Sequence, residues 1–171
     1  MDKSKSIVTS SYYMINLFNK DIEFNNIEKA NNEIITNLKL QYLMYLTEAY
    51  YINVYNKEMF NEEWRAWSFG VFNPELYNYF KKYGSMELFI DNKEKAEIDS
   101  LPQTYCETLT IIYNLFSDFN TFELLTLLSI PGSPLYNANA QNFYTIDSSV
   151  LLNKNNIKRW FKKTLGDYRE R

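Results

Sequence analysis

There is no histidine among the 171 residues. That removes Ser–His and Cys–His nucleophilic pairs, histidine-ligated zinc and imidazole acid–base catalysis together. The one cysteine, Cys106, can close no internal disulfide and build no multi-thiolate metal site. It sits beside Tyr105 at the start of an apolar, helix-like stretch, so a packed core thiol is expected. Sparse cysteine fits a reducing compartment. Glycine and proline are scarce, with four of each. Gly132 is too isolated to belong to a phosphate-cradling loop. No run approaches the ~18 apolar residues of a membrane span. The charged opening at residues 1–6 is not followed by the apolar core of a signal peptide. These absences predict a cytoplasmic chain with no catalytic residue set, no metal site and no cofactor, and make an enzyme the least favoured class.

Basic charge is also in short supply. The net charge is -3 and the pI about 5.1. Proteins that live on phosphate contacts carry a broad basic field, so nucleic acid is not the expected direct ligand. The acidity is too weak for a mimic of DNA. What the chain has instead is apolar and aromatic material, 46% and 18% respectively. One domain spanning 1–171 is the natural expectation for this length, with enough material for a real core.

Apolar spacing along the chain is mostly helical. Residues 6–19 read as a first helix and 21–35 as a polar, Asn-rich connector. Thr36 is an expected N-cap for a long central helix that ends near Asn56. Residues 58–72 are short and aromatic, compatible with an extended segment or with one helical turn, and Gly70 permits a tight turn there. Asn73-Pro74 is an N-cap followed by proline at the first helical position, opening a helix that stops at Gly84. Residues 86–90 read as a short strand or loop, and 92–100 as a charged, exposed stretch. Further helices are expected over 101–116, over 121–128 and, after a firm break at 130–134 and a loop to Ser149, over 151–169. The predicted architecture is all-α: a compact single domain of about six helices with at most a minor extended element.

Residues 36–84 carry a resemblance. They hold Leu40-Gln41-Tyr42-Leu43-Met44-Tyr45, then Ala66-Trp67-Ser68-Phe69-Gly70, then Lys82-Tyr83-Gly84. This is similar to the Panacea domain family of SocA-like antitoxins and phage-associated GepA-like proteins. That family shows a Leu-Gln-Lys-Leu-Leu-Tyr helix, an Ala-Trp-x-x-Gly-Pro-Val turn and a helix ending near Lys-Tyr-Gly. Residues 115–138 resemble its later helix pair. The resemblance implies a helical, non-catalytic domain that neutralises a partner protein by direct contact. The chain departs from the pattern at Val71-Phe72, at Ser129-Ile130 and at Leu135, where the family has Pro-Val, Thr-His and Trp. The scaffold is expected to persist, and these departures leave the partner open. The expected partner is another protein, a toxin; the alternative is a host defence nuclease such as a CRISPR effector, inhibited by a phage or mobile-element protein.

Candidate partner-binding residues fall in two groups. Trp64, Trp67, Phe69, Phe72 and Tyr77 surround the aromatic turn, where such residues serve equally as core or as interface anchors; at least one should be exposed. Lys158, Arg159 and Lys162 lie on the terminal helix, where a basic set can meet an acidic partner or phosphate, or simply be solvated. The tyrosines of the central helix, from Tyr42 to Tyr55, are too many for both faces to be core, so some are open to an interface role as well as to packing. Glu48, Glu62, Glu63 and Glu75 are expected to be solvated or capping carboxylates.

Overall fold

The computed structural model describes residues 4–24, 33–139 and 149–166. Among these, eight α-helices and three short strands follow in the order α1 (Ser4–Phe24), α2 (Asn37–Tyr55), β1 (Arg65–Trp67), β2 (Gly70–Phe72), α3 (Pro74–Phe80), α4 (Asn92–Ile98), α5 (Gln103–Phe116), α6 (Thr121–Leu128), α7 (Pro134–Asn139), β3 (Val150–Leu151) and α8 (Lys154–Leu165). The expected helical class holds, with a small antiparallel sheet of order β2-β1-β3 added. Its register pairs Arg65 with both Phe72 and Leu151.

The central helix is the organising element. Thr36 caps it by accepting a hydrogen bond from the Lys39 N–H, and Asn56 ends it in the left-handed conformation at φ 54°. An amphipathic helix buries one face, but α2 is buried nearly all round, from Asn37 to Ile52. It packs against α5, α6, α8 and β2, while α1 packs on α4 and α5. Tyr42, Tyr45 and Tyr51 are therefore core, and only Tyr50 and Tyr55 are half-buried. Of the two readings open for these tyrosines, the packed one holds for Tyr42, Tyr45 and Tyr51, because α5, α6, α8 and β2 cover most of the helix.

Other boundaries also shift. The first helix continues through Phe24, absorbing the start of the expected connector; the rest of that connector, at 25–32, lies outside the described residues. The stretch at 92–100 is charged and exposed as expected but helical, held by an Asp91–Glu94 capping box. The helix opened by Asn73-Pro74 ends at Phe80 and tightens into a 3-10 turn at Lys81–Tyr83 before Gly84. Pro134–Asn139 is a helical turn and a half inside the expected loop. The terminal helix starts at Lys154, capped by Asn153, because Val150 and Leu151 are drawn into the sheet.

Candidate functional site

The aromatic turn becomes a β-hairpin laid across the N-terminal half of α2. Gly70 makes this possible. Its φ is +113°, and a Cβ there would lie 2.7 Å from the Tyr42 hydroxyl and 3.0 Å from Leu125 Cδ1. Both the backbone conformation and the close approach require glycine. The Tyr42 hydroxyl donates to the Phe69 carbonyl, pinning the turn to the helix. Burial pushes the Tyr42 phenol above its usual range, so it remains a donor.

A buried carboxamide pair locks the hairpin to α3. The Gln41 side-chain amide donates to Asn37 Oδ1 at 2.9 Å, while its oxygen accepts from the Asn73 backbone N–H at 2.9 Å. Asn73 caps α3 through Leu76 N–H and donates to the Glu63 carbonyl at 3.1 Å. Each polar group thereby has a partner in a place where an unpaired one would be costly.

Of the five aromatic candidates, three are at the surface and two are not. Trp64 and Phe72 are buried, Trp64 edge-on to Tyr45 with centroids 5.4 Å apart. They support the hairpin from below, and contact with a partner would require unfolding it. Trp67 and Tyr77 are half-buried, and Phe69 is 58% exposed. Trp67 is the hub, with ring centroids 5.1 Å from Phe69, 5.1 Å from Phe72 and 5.4 Å from Tyr77. Its indole N–H finds no acceptor among the described residues.

Trp67, Phe69 and Tyr77 line one wall of a groove of about 690 Å³, opposite Ile34 and Leu38. Exposed apolar residues are part of the lining or its immediate neighbours in the chain. Ile34 is 41% exposed, Met86 61% and Phe122 76%; Met86 adjoins the lining residue Ser85, and Phe122 adjoins Thr121. One end is closed by Glu33, whose carboxylate accepts from the Thr121 hydroxyl at 2.7 Å and lies 3.9 Å from Lys39 Nζ. Lys39 is fully buried, with its ammonium donating to the Ser117 carbonyl at 3.2 Å and lying 5.1 Å from the Phe18 ring centroid. Burial lowers its pKa from 10.5. Exposed apolar patches of this kind mark contact surfaces.

The basic candidates form a separate surface. Lys158 and Lys162 border a shallow depression with Tyr50, Val54 and Phe161, and Arg159 borders another with Trp160 and Lys163. The groove sits at the Asn37 end of α2 and the first depression at its Asn56 end. At 1.5 Å per residue that separates the two by roughly 25 Å.

The carboxylates are not all solvated. Glu48 is fully buried, accepting from the Phe60 N–H at 3.0 Å and lying 3.3 Å from Lys154 Nζ. The second is an ionic contact rather than an aligned hydrogen bond. Burial, opposed by Lys154 and the Phe60 N–H, raises its pKa from 4.5 to about 7. Glu62 is also pushed up by partial burial. Cys106 is half-buried against the core rather than enclosed by it, and burial raises its thiol pKa. Among the described residues no three of Cys, Asp or Glu gather as a metal site would need, and no helix is long and apolar enough to cross a membrane. Sequence reasoning missed Lys39, Gln41, Asn73 as a bridge, and the Glu48–Lys154 pair. Only the polar residues inside an otherwise apolar helix hinted at them.

A family model described as Antitoxin SocA-like, Panacea domain, matches residues 40–129, slightly more than half of the chain. The match runs from the first turn of α2 to the end of α6 and includes the hairpin. Comparison with curated proteins and with solved structures returned no match.

Proposed function

The chain belongs to the antitoxin SocA-like, Panacea domain family, and we propose on that premise that it is a non-catalytic module that neutralises a partner protein by direct contact. The groove beside the hairpin is the contact surface. The observation that carries this reading is the exposure of Phe69 on a hairpin that is otherwise fixed. The turn is held by Tyr42 and Gly70, yet its tip presents a large ring to solvent in a groove that it shares with the exposed Ile34. Burying such a ring in a partner's pocket is how interface anchors work, and a pre-formed turn spends little entropy in doing so. Trp67 and Tyr77 serve as the wall against which the partner packs. A toxin fits the family. The substitutions at Val71, Phe72 and Leu135 lie in the buried support of this region, so they bear on the shape of the surface rather than on its polarity.

Affinity capture from the producing cell, comparing the wild-type chain with Phe69→Asp, tests this directly. The wild type should retain one protein that Phe69→Asp loses by at least tenfold, at unchanged melting temperature. That protein, expressed alone, should arrest growth, and co-expression of the wild-type chain should relieve the arrest. Equal capture by both chains would remove the groove from the interface. A captured host nuclease with no toxicity of its own would replace toxin neutralisation by inhibition of a defence effector.

A further inference from the structure

Charge on this molecule is segregated. Five of its 18 lysines and arginines lie on α8, a helix of 12 residues with no carboxylate. The remaining 13 face all 21 acidic side chains, so α8 is +5 and the rest of the chain -8. Lys154 is used internally, reaching Glu48 and Glu58. The other four are Lys158, Arg159, Lys162 and Lys163, and no described carboxylate forms an ion pair with any of them. Among the described residues, Lys158 and Arg159 donate to the carboxamide oxygens of Asn56 and Asn156.

The arrangement is costly to the helix taken alone. The four cations form two i,i+4 pairs, Lys158 with Lys162 and Arg159 with Lys163, and like charges at that spacing destabilise a helix. Nothing in the core requires them. Ile157, Trp160, Phe161 and Leu165 do the packing, and the cations stand on the outward side. Each pair also overlooks its own shallow depression, of about 290 Å³ and 330 Å³, floored by an aromatic ring: Phe161 on one side, Trp160 on the other. The helix is thus a basic ridge between two partly apolar hollows.

We propose that the outer face of α8 is a second contact surface, separate from the groove, and that it docks an acidic protein segment whose carboxylates straddle the ridge. Two cations one helical turn apart, about 6 Å along the axis, match carboxylates at i and i+4 of a partner helix or at i and i+2 of a strand. The apolar floors accept the methylene stems of Glu side chains. A nucleic acid fits less well. Phosphate binding is driven by neutralising many phosphates and releasing their counterions, and only four cations on this ridge lack an ion-pair partner among the described residues. A duplex long enough to reach further cations would also run over a body of charge -8, which repels it, whereas a short acidic protein segment stays on the ridge. The inference is independent of the groove reading.

The probe is an alanine-based helical peptide carrying two Glu pairs at i,i+4 spacing, titrated into the isotope-labelled full chain and followed by amide NMR shifts. Shifts should concentrate on residues 154–165 and on the C-terminal turn of α2. The same peptide with Gln in place of Glu should shift nothing. The variant Lys158→Glu, Lys162→Glu should weaken binding at least tenfold, and the milder Lys158→Gln, Lys162→Gln pair should do so several-fold if the charge-reversed chain fails to give a native spectrum. Phe69→Asp should leave the α8 shifts intact, so a failure of the groove and a failure of the ridge are told apart. Equal response to the Glu and Gln peptides, or undiminished binding by both variants, overturns the proposal. So does a 20-base-pair duplex that shifts α8 at lower concentration than the peptide and displaces it.

Discussion

The carboxyl group of Glu48 titrates between opposing influences. Removal from water favours its neutral form, while the Lys154 ammonium and the Phe60 N–H favour the charged one, and burial wins, placing its pKa near 7 against 4.5 in solution. Because the folded value lies above the unfolded one, the folded chain holds this proton more tightly. The resulting stabilisation is complete below about pH 4.5 and is lost as pH rises through 7. The span corresponds to about 3 kcal/mol. Glu48→Gln removes the titration while keeping the shape. Urea unfolding of both chains from pH 5 to pH 8 should therefore show the variant gaining on the wild type by about 2–3 kcal/mol across that interval. Parallel curves would mean that Glu48 is ionised throughout and that the account of its burial is wrong. No signal near Glu48 in the sequence announces this, since its partner is 106 positions away at Lys154 and the pairing exists only once α8 has docked. The same holds for Lys39, whose ammonium finds its acceptor on Ser117.

Elements whose ends are set by near neighbours are the legible ones. Thr36, Asn56, Asn73-Pro74 and Asn153 act within a few residues of their own positions, and the helices they bound are close to those that spacing predicts. The helix at Asn92–Ile98 is less readable because it has no buried residue and hence no apolar period. The hairpin lies between these cases. Its strands have three residues each, too few to separate alternation from a helical turn, and the third strand is 84 residues downstream of the second Trp, at Leu151. Gly70 is the part of it that sequence does mark. An alanine there would hold φ at +113° with a side chain and drive it into Tyr42 and Leu125. Gly70→Ala should cost about 2–4 kcal/mol, seen as a lowered midpoint in thermal or urea unfolding. It should also weaken partner capture more than its loss of stability accounts for, because the Phe69 tip is displaced. A variant as stable as the wild type would show that the hairpin is not braced against α2 as described.

For the whole molecule, the question is where the folding unit ends. The family match stops at Ser129, yet the matched elements do not enclose their own core. Ile7, Met14 and Ile15 of α1 and Ile157, Trp160, Phe161 and Leu165 of α8 are all buried, and Leu152 N–H donates to the Trp64 carbonyl at 2.8 Å. A chain cut after Ser149 would lose five buried apolar side chains, Leu152 among them, worth on the order of 8–15 kcal/mol. It would also remove the Lys154 ammonium beside Glu48, leaving burial to push that carboxyl further toward its neutral form. Domains are stable by only about 5–15 kcal/mol, so the shortened chain should not fold. Circular dichroism and amide NMR on the 1–149 chain should show lost tertiary dispersion and no cooperative urea transition. A native-like spectrum with a sharp transition would make α8 an appendage and end the domain near the matched boundary. The expected outcome instead makes the basic ridge part of the same rigid body as the groove, roughly 25 Å away along α2. A partner that reached both would then be held at a fixed geometry, so the two contacts would reinforce each other without any movement of the chain between them.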